Sequence, residues 1–308
     1  MPTWSVVITT RNRSKMLARA LESCLAQTTS CEIVVVDEAS ADGTQEMMKA
    51  FPQIKYIRNE VCLGHGAAVN IGTRAAEGEW IKPLDDDDFL ADDCLTHLSN
   101  AIELAKSKGY TPTLVTGRAI NCNEKGDYIS STRAWSDKVA VIHYRDLLSM
   151  MLLDQAPIGT PVQVGYSRQL AINCRGWNEG TRESQFGDEV EFWIKMAAHG
   201  NDVVIVPSYV GYRTVWPGSS LFKNDHLTRY RNNVSLKDDI REMLDGKQAG
   251  RSIRSYMALH WMILAARDRN YSAAARLSLG WLAAPWSVVH LLRRGGMKDM
   301  KKRLKVIG

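Results

Sequence analysis

Apolar, β-branched runs alternate with segments of helical spacing from the start of the chain, and this alternation restricts the fold more than any other feature. Trp4 to Thr10 reads WSVVITT, a strand, and Ser14 to Gln27 then brings Met16, Leu17, Ala20, Leu21, Cys24 and Leu25 to one helical face. Ile33 to Val36 is a second strand, Thr44 to Ala50 a short helix, and Ile54 to Arg58 a third strand after Pro52. Gly66 to Ala76 continues as a helix and Trp80 to Leu84 as a strand. Repetition of β and α in this way predicts an α/β fold, with a mostly parallel sheet flanked by helices. The strands end in polar or acidic residues, and in such sheets ligands bind at the carboxyl ends of the strands.

Further along, the spacing predicts a helix from Asp93 to Lys108, a strand at Leu114 to Thr116 and a loop-rich stretch to Gly180. A helix over Glu189 to His199, strands at Val203 to Val206 and Tyr209 to Thr214, and a Trp216-Pro217-Gly218 turn follow. From Leu227 the pattern is helical. The formal charge of +5 over 308 residues is small, and the basic residues cluster only from Arg293 to Lys305, so no nucleic-acid partner is expected. The six cysteines form no C-x-x-C pair and no Cys/His metal spacing, which fits reduced core thiols and a cytoplasmic setting. No export signal is read at the start, and Leu277 to Leu292, broken by Gly280, Pro285 and His290, is too short for a membrane span.

The most informative chemistry is Asp85-Asp86-Asp87-Asp88, placed directly after the strand that ends at Leu84. Four adjacent carboxylates repel one another unless a cation or water offsets the charge. Hard oxygen ligands suit magnesium or manganese, which bind through one or two carboxylates while substrate phosphates complete the shell. Taken alone, the run also suits a solvated turn ahead of the next helix. Asp37, closing the second strand in Val36-Asp37-Glu38-Ala39-Ser40-Ala41-Asp42-Gly43, is likewise a ligand candidate or a turn carboxylate.

Together, these motifs are similar to those of family 2 glycosyltransferases. The matching elements are a first strand followed by Asn12-Arg13, the Asp37 to Thr44 loop, the Asn70, Gly72, Ala76, Gly78, Glu79 pattern and the acidic strand end. The likeness runs through residues 4 to 95 and returns around 176 to 220. It implies a GT-A type sheet in two halves, residues 1–110 binding a nucleotide sugar and 111–226 the acceptor, with a helical region at 227–308. It also implies that Thr9, Thr10 and Arg11 line the base pocket, that Asp37 binds uracil or ribose, and that Asp85 and Asp86 contact the nucleotide. Asp87, with Asp85, would hold Mn2+ or Mg2+ on the diphosphate. Thr9 stands where many members have Pro, and Glu38 where many have a second Asp.

Gly176-Trp177-Asn178-Glu179 and then Asp188-Glu189-Val190-Glu191-Phe192-Trp193 resemble the family's turn and its base-bearing helix, with the two acids in swapped order. A carboxylate there would take the acceptor hydroxyl's proton. Glu189 aligns with the base, and Asp188 is the alternative; an acidic first turn favoured by the helix dipole is the purely structural reading. Lys82, Arg213 and His226 are candidates to clamp the diphosphate, His226 also as a metal ligand or simply a surface histidine. The Gly64-His65-Gly66 turn matches no phosphate-loop pattern. The aromatic and apolar residues from Ser252 to Leu292, ahead of the basic tail, suit either a membrane surface or packing on the preceding domain.

The expectation is therefore an inverting, metal-dependent transfer of a sugar from a nucleotide sugar, UDP most of all, to a hydroxyl of a glycan or lipid-linked glycan. A retaining GT-A transferase and a sugar-phosphate nucleotidyltransferase are the alternatives. The second would open with a Gly-rich loop where this chain has Thr10-Arg11-Asn12-Arg13. Peripheral contact with the inner face of the plasma membrane is a further expectation.

Overall fold

The computed structural model describes residues 1–179, 188–218, 225–245, 250–282, 285 and 302–308. The predicted alternation is present: β1 (Trp4–Thr10), α1 (Ser14–Leu25), β2 (Glu32–Asp37), α2 (Thr44–Met48), β3 (Lys55–Arg58), α3 (His65–Ala75) and β4 (Trp80–Asp85). They are followed by β5 (Phe89–Leu90), α4 (Cys94–Ser107), β6 (Pro112–Cys122), β7 (Tyr128–Ser131), β8 (Ala140–His143) and α5 (Tyr144–Met151). A short 3-10 turn, Pro161–Gln163, leads into β9 (Val164–Ser167), α6 (Arg168–Asn173), α7 (Asp188–His199) and β10 (Asp202–Thr214). Helices α8 (His226–Asp245), α9 (Arg251–Arg267) and α10 (Tyr271–Leu282) and the short β11 (Lys305–Val306) complete the described chain.

One sheet carries these strands, ordered β11-β8-β10-β6-β9-β4-β1-β2-β3, with β5 on β10 and β7 on β6. It is parallel from β4 through β1 and β2 to β3, and mixed beyond, where β9 runs antiparallel to both β4 and β6. The stretch read as loop-rich therefore holds β7, β8, β9, α5 and α6. Strands of four residues and helices of six to eight offer too few periods to stand out in a sequence. The two strands read near 203 and 209 are one, β10, whose pairing with β6 shifts register between Ile205 and Tyr209.

Strand residues alternate between two cores, as the two-residue period of a strand requires. Val6 and Ile8 of β1 and Val35 of β2 join Leu17 and Leu21 of α1 and Leu95, Leu98 and Ile102 of α4 on one face. Val7, Val34 and Val36 pack on the other face with Ala68 and Val69 of α3, Leu147 of α5 and Phe192 and Trp193 of α7. Val234 and Ile240 of α8 and Met257 of α9 extend this second layer. Each fully buried aliphatic side chain contributes roughly 1.5–3 kcal/mol, so burial on both faces fixes the register. Buried Lys237 fastens α8 to the layer: its ammonium donates to the Met151 carbonyl at 2.5 Å and pairs with Asp154.

The order β4-β1-β2 places the carboxyl ends of three strands together. Thr9 lies beside Asp85 and Thr10 beside Asp37 in register. The chain leaves β1 towards β2 on one side and receives β4 on the other, which is the switch point where open α/β sheets form their ligand crevice.

Candidate functional site

At that crevice, Asp85, Asp87 and Asp88 each turn one carboxylate oxygen to within 4.8 Å of the others. Asp88 is buried and accepts the Thr214 backbone N–H at 2.8 Å. Asp87 accepts the Trp216 indole N–H at 2.8 Å and lies 3.4 Å from the Arg13 guanidinium. Burial and the charges of Asp87 and Asp85 push the Asp88 carboxyl well above the usual carboxylate range. Asp87 is raised by burial and by Asp85, against the pull of Trp216 and Arg13. A divalent cation among these oxygens would relieve the repulsion, and an all-carboxylate donor set suits magnesium or manganese, so the residues fit such an ion.

The remaining member of the run turns inward. Asp86 accepts the Thr10 hydroxyl at 2.8 Å and the Arg13 guanidinium at 2.7 Å, and burial raises its carboxyl to about 6 against the pull of Arg13. Its oxygens hold the ends of β1 and β4 together at the crevice where a nucleotide contact is expected of it. Arg13 also lies over the Trp216 ring, 5.2 Å from the ring centre. Arg19 donates to the Asp87 carbonyl and the Thr214 hydroxyl, both at 2.7 Å. Arg13, Arg19, Asp88 and Trp216 thus frame the cluster, and all four were missing from the sequence-derived site. Asp88 could have been found as part of the acidic run; Trp216 lies 129 residues from Asp87, and no local pattern links them.

Asp37 is fully buried, accepting the Ser40 backbone N–H at 2.9 Å and the Tyr56 hydroxyl at 2.6 Å, with Arg58 at 3.5 Å. These partners make Asp37 an anchor of the loop after β2, at the strand end where the contact with uracil or ribose is expected. Glu38 accepts the backbone N–H groups of Leu63 and Gly64 at 2.7 and 2.6 Å and so fixes the turn into α3. Gly64 has φ +97°, a conformation that L side chains rarely adopt. Thr9 and Thr10 are buried, the Thr10 hydroxyl being committed to Asp86, while exposed Arg11 lies 3.1 Å from Cys62 at the mouth of the crevice.

Two candidate clamps have protein partners of their own. Lys82 is 0% exposed, and its ammonium donates to the carbonyls of Pro83 and Pro161 at 3.0 and 2.7 Å. Burial lowers it to about 8. His226, at the start of α8, lies 3.1 Å from Asp268 and edge-on to Trp261. Among the described residues, it is not in the carboxylate group that could hold a metal. The third candidate, Arg213, lies on β10 and its charge bears on Asp88.

The second acidic pair reaches the same crevice through α3. Asn70 donates to the Trp177 carbonyl and accepts the Trp177 N–H, both at 2.8 Å, pinning the 176–178 turn to α3. A side chain at Gly66 would collide with the Asn178 carbonyl, so glycine permits that close approach. Trp177 stacks on Phe192, and α7 thereby presents its first turn to α3. Asp188 accepts from His65 Nδ1 at 2.7 Å, while His65 Nε2 lies 3.3 Å from Asp85. Burial favours the protonated form of Asp188, but the His65 bond outweighs it and lowers its pKa. Partly exposed Glu189 is raised to about 8 by burial and by the neighbouring Asp188 charge.

Comparison with known proteins bears on the family and the fold. Residues 5–173 match the family model "Glycosyl transferase family 2". Among curated proteins, the succinoglycan biosynthesis protein ExoO of Rhizobium meliloti is 38% identical over 112 residues, 35% of this chain and 31% of that protein. The chain thus spans about a third of that relative's length. The S. aureus TarS 1-349 structure in complex with UDP-GlcNAc superposes with a TM-score of 0.66 at 16% identity, covering 98% of this chain and 90% of that one. The Pyrobaculum calidifontis mannosyltransferase PcManGT, in complex with GDP-Man and Mn2+, gives 0.56 at 18% identity over 98% and 85% of the two chains. The likeness to both structures shows the fold, a GT-A type sheet. With more than half its residues matched by the family model and its acidic strand end at the sheet's switch point, the chain belongs to glycosyl transferase family 2.

Proposed function

We propose that the protein transfers a sugar from a nucleotide sugar, a UDP-sugar above all, to an acceptor hydroxyl with inversion at the anomeric carbon. The observation that carries this reading is the meeting of two carboxylate groups across His65: Asp85 at the donor-side strand end and Asp188 at the head of α7. The TarS complex with UDP-GlcNAc and the PcManGT complex with Mn2+ support a nucleotide-sugar donor and a divalent ion. The role of ExoO in succinoglycan biosynthesis is in keeping with a glycan acceptor, lipid-linked or not.

Asp85, Asp87 and Asp88 would hold the ion. When bound, it supplies positive charge to the diphosphate as the leaving group takes on negative charge. Arg13 orients Asp86 and Asp87, and Arg213 adds a positive charge near Asp88. Glu189 takes the acceptor proton: the Asp188 carboxylate is held by His65 and by the Glu189 backbone N–H, and burial, with the Asp188 charge and side-chain hydrogen bond, raises the proton affinity of the neighbouring Glu189. One displacement by a base-activated hydroxyl inverts the anomeric centre. The test is proton NMR of the sugar first released when water replaces the acceptor. An α-linked UDP-sugar should yield the β anomer before mutarotation; release of the α anomer would establish retention.

The base assignment also sets a pH dependence. Glu189, raised to about 8, holds its proton below that pH and must lose it to act. The rate at saturating donor should therefore climb as pH rises towards 8 and level off above it. A profile already flat from pH 6 would remove Glu189 from the proton transfer.

Membrane contact remains part of the proposal. Among the described residues, no helix is long and apolar enough to cross a membrane. Trp286, Val289, Leu291 and Leu292 and the basic residues from Arg293 to Lys301 lie outside the described residues. Exposed Ile263, Leu279 and Leu282 give α9 and α10 an apolar surface that would suit such contact.

A further inference from the structure

His65 occupies a position that neither motif explains. Its ring stands edge-on to Trp177, 5.2 Å between centres, at the first residue of α3. Three constraints fix the ring: Glu38 holds the preceding turn, Gly66 lets the 176–178 turn approach, and Trp177 packs on one edge. Its two nitrogens then address carboxylates from different parts of the chain, Asp85 at 3.3 Å through Nε2 and Asp188 at 2.7 Å through Nδ1. The Asp188 bond is shorter, and Asp188 also accepts the Glu189 N–H at 2.9 Å.

We infer that His65 is a positioning residue that ties the head of α7 to the acidic end of β4, occupying Asp188 so that Glu189 acts as base. This rests on the glycosyl-transfer reading above. It also accounts for the swapped order of the acids. The two residues are adjacent on a helix and project about 100° apart, so only one can face the reacting carbon. With Asp188 turned to His65, the longer Glu side chain supplies the reach. A single imidazole thereby sets the distance between the donor's diphosphate site and the acceptor's base.

The test separates the two nitrogens. Asn at position 65 places an amide N–H near Nδ1, and Gln places one near Nε2. His65→Ala and Asp188→Ala should each lower kcat by about 10- to 100-fold, the range for removing a group that orients a working carboxylate, with the donor KM unchanged. Because both remove the same contact, the double variant should fall no further than the worse single one. His65→Asn should retain most of the turnover, and His65→Gln should behave like His65→Ala. Independently of activity, proton NMR of the ligand-free protein should show a slowly exchanging Nδ1 proton on the His65 imidazole that Asp188→Ala abolishes and Glu189→Gln preserves. Equal losses in His65→Asn and His65→Gln, additive losses in the double variant, or an Nδ1 proton that survives Asp188→Ala would each overturn the inference. If no nucleotide sugar turns over, the functional reading fails, while the imidazole signal still decides whether His65 holds Asp188.

Discussion

Glu189→Gln should lower kcat by roughly 10² to 10⁴, the range for losing a general base, while UDP-sugar affinity persists. Gln keeps the size of the side chain and removes its basicity, so the loss isolates proton transfer. Glu189 is suited to the task because burial and the Asp188 charge raise its proton affinity to about 8, near working pH. Measuring turnover and donor affinity side by side separates a base from a binding residue. A variant with normal kcat would remove the head of α7 from the chemistry, and a variant that no longer binds donor would make Glu189 part of the nucleotide site.

The second large effect belongs to Asp87. Asp87→Ala should reduce turnover by about 10² to 10³, the scale for losing one preorganised group that stabilises leaving charge. EDTA should do the same to the unaltered protein. Asp87 is the better target among the converging carboxylates, because Asp88 is buried and ties β10 through the Thr214 N–H. The Asp87 side chain is partly supported from outside, by Trp216 and Arg13, so its loss should leave the sheet folded. Calorimetry with UDP should show tighter binding when Mn2+ is added to the unaltered protein and no such gain for Asp87→Ala. UDP affinity indifferent to the ion in both would contradict the assignment.

How much of this was legible in the sequence follows from the range of each interaction. β1, β2 and β4 announce themselves because buried parallel strands are continuous apolar runs, and their acidic ends mark the crevice. The Asp85 to Asp88 run could be read as a metal site from charge density alone. What each carboxylate touches could not: Asp86 and Asp37 also anchor their loops, because Thr10, Arg13, Ser40 and Tyr56 are brought to them by folding. Lys82 looked like a free cation beside the acidic run, yet strand alternation points it into the core. His65 was passed over because its partners lie 20 and 123 positions away, joined only when α3 and α7 pack. Short strands and helices between 123 and 179 escaped notice since each depends on its neighbours in the sheet rather than on its own period.

The central claim is that the acidic strand end and the head of α7 form one nucleotide-sugar transferase site. Its most direct test is to incubate the protein with a panel of UDP-sugars and Mn2+ and measure released UDP. Release from at least one donor, abolished by EDTA and by Asp87→Ala and strongly reduced by Glu189→Gln, is the expected result. No release from any nucleotide sugar, or release that continues undiminished in EDTA and in both variants, would contradict it.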